Sequence, residues 1–192
     1  MIKLACELLF RLRGWRYENR LLETPRACVM VGAPHTSNWD FVPAMVVARR
    51  VKHAKFVIKH EWLRFPLGLV MRPIGAIGVD REKIKQGEQR SSTDLMAQLF
   101  QQHADLMLMI APEGTRKANS AWKSGFWHIA QKAGVPIVLA FADYQKKVAG
   151  LGLVLVPGDF EEDMRTIMAF YAQIRAHAPE KFALDARYTG PR

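Results

Sequence analysis

The segment Val-Met-Val-Gly-Ala-Pro-His-Thr-Ser-Asn-Trp-Asp-Phe, residues 29–41, joins two kinds of sequence pattern. Its first three residues are apolar and predict a short buried strand, which a glycine and a proline then interrupt. From Ser37 the pattern becomes helical, and Ser37 with Asp40 three residues later predicts a capping box in which Asp replaces the usual Glu. A strand is therefore expected to deliver His35 to the start of a helix.

This placement gives His35 the chemistry of a general base. The N-terminus of a helix disfavours imidazolium and keeps the ring neutral, and the nearby carboxylate of Asp40 is placed to hold the ring. A serine hydrolase that uses Ser37 is a weaker alternative, because the chain lacks the Gly-x-Ser-x-Gly pattern of a nucleophile elbow. Cys28 lies within the predicted strand and is interpreted as a core residue.

Composition narrows the class of protein. With 192 residues, the chain is long enough for one domain with a full core, and its 49% apolar and 24% charged content is typical of globular proteins. It carries 28 Lys and Arg against 18 Asp and Glu, a net charge of +10. Such a basic surface favours nucleic acid, acidic lipid headgroups or a phosphorylated substrate. Cys6 and Cys28 show neither metal-site spacing nor a disulfide framework, which indicates a reducing compartment.

The first residues of the chain permit two interpretations. Residues 2–13 predict an amphipathic helix ended by Gly14, followed by aromatic residues between arginines. This helix either lies on an anionic membrane surface or packs on the domain and exposes a basic edge. We divide the chain into a basic N-terminal segment, residues 1–20, and a domain at residues 21–192. No stretch approaches the roughly 18 to 20 apolar residues of a membrane span, and no signal peptide is evident, so we expect a cytoplasmic protein.

Strands and helices are predicted to alternate through the remaining chain. The predicted strands are residues 56–58, 73–81, 106–110, 135–142 and 147–156, and the predicted helices run from 37 to about 50, over 91–103, over 126–133 and onward from Asp159. This alternation indicates an α/β fold, a single domain with a mostly parallel or mixed central sheet flanked by helices. The tail after Pro179 is expected to lie extended on the surface.

A second junction between strand and loop is rich in polar residues, Ala-Pro-Glu-Gly-Thr-Arg-Lys at 111–117. Its functional side chains are expected where the sheet ends, the place at which α/β folds bind ligands: Glu113, Thr115 and Arg116. Gly114 permits a tight turn. Arg81, at the end of another predicted strand, is placed to meet a phosphate with its planar guanidinium, although a surface salt bridge is the simpler interpretation of a lone arginine.

Taken in order, these motifs resemble the glycerolipid acyltransferase family, typified by the 1-acylglycerol-3-phosphate acyltransferases. That family carries His-x4-Asp, a Gly-rich strand ending in Arg, Phe-Pro-Glu-Gly-Thr-Arg-Ser and Val-Pro-Ile-Val-Pro. The counterparts here are His35 to Asp40, Gly75 to Arg81, Ala111 to Lys117 and Val135 to Leu139, with the family's Phe-Lys-x-Gly link present as Trp122 to Gly125. The resemblance covers about residues 28–142. The chain departs from the pattern beside the functional residues, at Pro34, Gly78, Ala111 and Leu139.

The resemblance implies a glycerol-3-phosphate acyltransferase-like fold and an O-acyl transfer reaction. An acyl-CoA or acyl-ACP thioester would donate the acyl group to a lysophospholipid, with 1-acylglycerol-3-phosphate as the first choice and phosphatidic acid as the product. His35 would be the base and Asp40 would fix its tautomer. The implied substrate-binding residues are Arg81 and Arg116 for the acceptor phosphate, Glu113 for orienting the acceptor or Arg116, and Gly114 and Thr115.

The same resemblance implies which partners the chain meets. No metal or cofactor is needed, since the acyl thioester is a co-substrate. The lipid substrates and the positive charge together predict peripheral attachment to an anionic membrane surface, at the inner face of the cytoplasmic membrane.

Three alternatives remain at this stage. The acceptor is open to another lyso-lipid. A non-catalytic lipid-binding protein of the same fold is a second alternative, against which the presence of both His35 and Asp40 counts. A basic nucleic-acid-binding domain would use the net charge and the Arg, Trp and Tyr residues at 13–20, but no DNA- or RNA-binding motif is found.

Overall fold

The computed structural model describes residues 2–51, 54–79 and 91–190. The strands in these ranges are β1 (Arg16–Asn19), β2 (Cys28–Ala33), β3 (Ala54–Lys59), β4 (Ala76–Val79), β5 (Met107–Ile110), β6 (Ile137–Asp143) and β7 (Val148–Leu155). The α-helices are α1 (Ile2–Leu12), α2 (Phe41–Arg50), α3 (Gly68–Met71), α4 (Ser92–Gln102), α5 (Gly125–Ala133) and α6 (Phe160–Tyr171). Short 3₁₀ helices occupy Asn38–Asp40, His60–Leu63, Pro179–Lys181 and Ala186–Tyr188.

The strands form one mixed sheet in the order β1-β7-β6-β2-β5-β3-β4. Strand β2 lies in the middle and pairs in parallel with β5 on one side and β6 on the other. Strands β3 and β4 continue the parallel part, whereas β7 runs antiparallel to β6 and β1 runs parallel to β7. The expected α/β fold with a mixed central sheet is confirmed, and the loops after β2, β5 and β6 leave the sheet at one edge.

Both faces of the sheet are covered, which explains the unbroken apolar sequence of β2. Val29 and Val31 face the core formed with α4, α5 and α6. Cys28 and Met30 face the opposite core, formed with α1 and α2. All four side chains have zero exposure, so alternate residues of a single strand anchor both helical layers. The loop that follows β2 therefore starts from a rigid position.

Helix α1 packs against α2 and ends at Gly14, whose φ of 75° is left-handed. Cys6 and Phe10 are buried between the two helices, and Glu7 forms a 2.6 Å ion pair with Arg50. The outer face of α1 exposes a stripe of leucines at every fourth position, namely Leu4, Leu8 and Leu12. The helix thus both packs on the domain and presents an apolar face to solvent. Across the described residues, none of the helices has the length and apolar character needed to cross a bilayer.

Two segments differ from the sequence-based expectation. Residues 16–19 form β1, an edge strand whose polar, mostly exposed sequence carries no apolar alternation to reveal it. The tail after Pro179 lies mostly at the surface, as predicted, but it is not simply extended, since two 3₁₀ helices lie there and Asp185 is completely buried. The Asp185 carboxylate accepts hydrogen bonds from the backbone N–H of Trp122 at 2.9 Å and from the guanidinium of Arg187 at 2.6 Å. The tail is therefore held to the domain by buried polar contacts.

Candidate active site

The loop after β2 places His35 at the edge where the central strands end. The imidazole is about one-third exposed, while the side chain of Asp40 is 6% exposed. The predicted capping box is confirmed: the Ser37 hydroxyl accepts a hydrogen bond from the N–H of Trp39, and Asp40 closes the box from the other side. Because Ser37 is engaged in capping the helix, its hydroxyl has a structural role at this position.

Asp40 faces His35 with a carboxylate fixed by the backbone. Its Oδ2 accepts hydrogen bonds from the N–H groups of Thr36, at 2.7 Å, and Ser37, at 2.8 Å. The same oxygen lies 3.6 Å from Nδ1 of His35, a distance typical of an ion pair and longer than a direct hydrogen bond. The carboxylate is thus positioned to stabilise a proton on Nδ1 and to leave Nε2 as the accepting nitrogen.

Arg116 lies on the opposite side of the imidazole. Its Nε donates a hydrogen bond of 3.4 Å to Nε2 of His35, so that nitrogen carries a lone pair. Burial lowers the pKa of His35, the carboxylate of Asp40 opposes this shift, and the positive charge of Arg116 adds to it. The outcome is an imidazole that is neutral at pH 7 and available as a base.

Glu113 joins the two predicted junctions. It follows β5, is 3% exposed, and both of its carboxylate oxygens accept the backbone N–H of His35 at 3.0 Å. Burial raises the pKa of Glu113 to about 7, the hydrogen bond from His35 lowers it, and the negative charge of Asp40 raises it further. Glu113 thus ties the loop that carries His35 to the loop after β5, an arrangement that the sequence did not reveal. Its expected role in orienting the acceptor or Arg116 stays a prediction.

The remaining residues of the second motif line an open cavity that His35 also lines. Gly114 has a left-handed φ of 67°, a conformation that favours glycine at this turn. Thr115 and Arg116 are exposed. The cavity has a volume of about 590 Å³ and its lining includes His35, Met96, Met109, Gly114, Thr115, Arg116 and Lys117. Arg81 lies outside the described residues, so its position beside this cavity stays a prediction.

Tyr144 is a residue of the site that the sequence motifs did not identify. Its hydroxyl donates a 2.7 Å hydrogen bond to Oδ1 of Asp40. Burial raises the pKa of Tyr144, as do the hydrogen bond and the negative charge of Asp40. The available signal was positional: Tyr144 follows β6, a strand that pairs with β2, so its side chain starts at the same edge of the sheet as His35.

A second cavity, of about 220 Å³, lies beside Tyr144. Its lining includes the aromatic side chains Phe10, Trp15, Trp39 and Tyr144. It also includes two cationic side chains, Arg13 and Lys147. The Arg13 guanidinium stacks over the ring of Trp39 at 4.5 Å.

Cys28, in the neighbouring core, is inert, because burial raises the pKa of its thiol to about 12. The part of the chain that the structure describes holds no cluster of three His, Cys, Asp or Glu side chains suited to a metal ion.

Comparisons with known proteins bear on the family and the fold of the chain. The sequence profile of a family described as Acyltransferase matches residues 16–140. Among solved structures, the chain is similar to the 1-acyl-sn-glycerophosphate (LPA) acyltransferase PlsC from Thermotoga maritima, with a TM-score of 0.57 and 16% identity over 86% of this chain and 73% of that chain. At that level of identity the likeness concerns the fold. A comparison with curated proteins yields no match.

Proposed function

The chain belongs to the acyltransferase family and is an acyltransferase, and from that premise we propose that it transfers a fatty acyl group from an acyl thioester to the hydroxyl of a lysophospholipid. The proposed donor is acyl-CoA or acyl-ACP, and the first acceptor to consider is 1-acylglycerol-3-phosphate, which would yield phosphatidic acid. The observation that carries the proposal is the Asp40 carboxylate 3.6 Å from Nδ1 of His35, together with an open cavity that His35 and Arg116 line.

In the proposed reaction, Nε2 of His35 accepts the proton of the acceptor hydroxyl while that oxygen attacks the thioester carbonyl. The tetrahedral intermediate then collapses, the carbon–sulfur bond breaks, and the departing sulfur takes the proton from His35. Asp40 stabilises the transient imidazolium and fixes the tautomer, as a triad carboxylate does. A base of this kind contributes roughly 10²- to 10⁴-fold in rate. The proposed reaction uses no metal or cofactor, since the thioester is a co-substrate.

Arg116 is proposed to bind the acceptor phosphate. It is exposed, lines the cavity beside His35, and offers a planar set of donors suited to a phosphate. Its present contact with Nε2 of His35 has to be given up before a hydroxyl can reach that nitrogen. An incoming phosphate supplies the negative charge that draws the guanidinium away. Arg81, Gly114 and Thr115 remain proposed contributors to the same phosphate site.

Glu113 is proposed to act through the backbone. By accepting the N–H of His35 on both oxygens, it ties the histidine loop after β2 to the loop after β5. An orienting role toward the acceptor or Arg116 remains part of the proposal beside this contact. Its role would be to keep His35 at a fixed distance from the phosphate-binding residues that follow it in the sequence.

A peripheral position on the inner face of the cytoplasmic membrane is part of the proposal. The leucine stripe of α1 is 59%, 60% and 76% exposed at Leu4, Leu8 and Leu12, and basic residues follow it. A second apolar segment is exposed between Arg64 and Arg72: Phe65, Leu67 and Leu69. Apolar side chains beside cations suit the headgroup region of an anionic bilayer, which is where a lysolipid acceptor resides.

The deciding experiment is acyl transfer by purified protein from radiolabelled acyl-CoA or acyl-ACP to lysolipids with different headgroups. We expect transfer to a phosphate-bearing acceptor, and a loss of at least about 10²-fold in His35→Ala. The exposed His103→Ala serves as the matched control and retains activity.

Each other outcome has a defined meaning. Transfer that survives His35→Ala would remove His35 as the base. Transfer to a different lysolipid would change the acceptor and keep the mechanism. Lipid binding without turnover would favour a binding protein, and oligonucleotide binding that weakens with salt would favour the nucleic-acid alternative.

A further inference from the structure

The carboxylate of Asp40 has two oxygens with different partners, and this division assigns a role to Tyr144. Oδ2 is held by the backbone N–H groups of Thr36 and Ser37 and faces His35. Oδ1 points the other way and accepts the hydroxyl of Tyr144 at 2.7 Å. We infer that Tyr144 is a positioning residue for the proposed acyl transfer, whose hydroxyl orients the Asp40 carboxylate toward His35 and tempers its negative charge.

Burial makes this hydroxyl necessary for Asp40. The Asp40 side chain is 6% exposed, so water has little access to its oxygens. A carboxylate oxygen that loses its donor in such a place bears a desolvation penalty, so the loss destabilises the present orientation of the carboxylate. With Tyr144 present, both oxygens are satisfied while one of them faces the imidazole.

Tyr144 is itself held from several directions. Its backbone N–H donates to the carbonyl of Arg175 at 2.9 Å. The ring of Trp15 meets its ring edge-on at 4.7 Å, and the ring of His177 does so at 4.8 Å. These contacts come from the segment after α1 and from the segment after α6. The hydroxyl is therefore placed before any substrate binds, as positioning requires.

Electrostatics give the hydroxyl a second effect. Among the described residues, the charged side chains that contact His35 are Asp40, Arg116 and Glu113, the last of which contacts its backbone N–H. The titratable side chains that line the cavity beside Tyr144 include Arg13, Lys147 and His177. The raised pKa of Tyr144 means that it stays a donor across the working pH range. A hydrogen bond from Tyr144 draws negative charge from Asp40, so the carboxylate stabilises imidazolium less strongly. Removal of the hydroxyl should therefore raise the pKa of His35.

The test uses Tyr144→Phe, which removes only the hydroxyl, and Tyr188→Phe as a matched control, a tyrosine whose ring packs against Phe160. The first measurement is NMR titration of the His35 ring, a readout that needs no acyl transfer. We expect the pKa of His35 to rise in Tyr144→Phe and to stay at its wild-type position in Tyr188→Phe. Circular dichroism and thermal unfolding establish that each variant is folded.

The second measurement is kinetic and rests on the proposed function. We expect kcat to fall by about tenfold with KM within twofold, and the acidic limb of the pH–rate profile to move to higher pH. In an Asp40→Asn background the same Tyr144 substitution should change kcat by less than twofold, because its effect passes through the carboxylate.

These results separate the inference from the function on which it rests. An unchanged His35 titration in Tyr144→Phe overturns the positioning role whether or not the protein transfers acyl groups. An equal loss of kcat in the wild-type and Asp40→Asn backgrounds also overturns it, because Tyr144 would then act by another route. Absence of acyl transfer in the wild type contradicts the proposed function, while a shifted His35 titration still supports the Asp40–Tyr144 assignment.

Discussion

At the level of single residues, the site brings two buried acids, Asp40 and Glu113, close to a base, His35. Burial lowers the pKa of His35 and raises the pKa of Glu113 to about 7. In both cases burial disfavours the charged form, imidazolium at His35 and carboxylate at Glu113. The negative charge of Asp40 raises the pKa of both groups, so it adds to the shift at Glu113 and opposes the shift at His35. Because Glu113 accepts a hydrogen bond from the backbone N–H of His35, protonation of Glu113 weakens the contact that holds the loop carrying His35.

Glu113→Gln tests this arrangement through stability. Glutamine keeps an acceptor for the His35 N–H and removes the ionisable group. In wild type, the folded-state pKa of about 7 exceeds the unfolded value of 4.5, so the folded protein binds the extra proton and stability falls as pH rises between them. We expect Glu113→Gln to gain stability relative to wild type over that interval, by up to about 3 kcal/mol.

Urea denaturation at pH 4.5 and pH 8 measures this difference. The exposed Glu180→Gln is the matched control and should follow wild type at both values. A difference between Glu113→Gln and wild type that does not vary with pH would show that Glu113 has an ordinary pKa in the folded protein.

At the level of helices and strands, the two faces of α1 differ: one is buried against the domain and the other is exposed. The inner face packs on α2 through Cys6 and Phe10. The outer face leaves its leucines in solvent, an arrangement that costs hydrophobic free energy unless something covers it. An anionic bilayer is the proposed cover.

Replacement of Leu4, Leu8 and Leu12 by serine should weaken binding to phosphatidylglycerol vesicles roughly tenfold or more, because the apolar contact is lost and the fold is untouched. Vesicle sedimentation measures the bound fraction. The control is Leu22→Ser with Val156→Ser, two exposed apolar residues outside α1. Equal sedimentation of the triple variant and wild type would rule out α1 as the membrane contact.

The elements that the sequence predicted are those with a local signal. The Ser37–Asp40 capping box, Gly14 after the end of α1 and the apolar run of β2 each indicate their structure within a few residues. Strand β1 carries no such signal, since its pairing with β7 depends on a segment more than 100 residues away. The contact of Tyr144 with Asp40 and the inward turn of Glu113 are long-range in the same sense, and only the folded sheet reveals them.

At the level of the whole molecule, the C-terminal segment is part of the domain. Asp185 accepts hydrogen bonds from Trp122 and Arg187, and the Trp122 indole N–H donates to the carbonyl of Ala183 at 2.9 Å. Phe182 and Leu184 pack against the same core that holds α5 and α6. The segment thereby covers the core directly behind the loop that carries Glu113.

Asp185→Ala should lower the free energy of unfolding by about 1–3 kcal/mol, because the buried N–H of Trp122 loses its acceptor. Thermal or urea unfolding at pH 7 checks the value. Glu180→Ala, an exposed position in the same segment, should unfold as wild type does. If Asp185→Ala matched Glu180→Ala, the tail would contribute little to the stability of the domain.

The distances along the chain between the site residues also bear on how the molecule folds. The contacts of Glu113, Arg116 and Tyr144 with the His35–Asp40 loop join residues 78, 81 and 104 positions apart. Contacts of such separation form late, after the entropic cost of closing long loops has been met, and they belong to the slow-folding class of topologies. The proposed acyl transfer is thus expected only from the completed sheet, and the return of activity on refolding would time the last step of assembly.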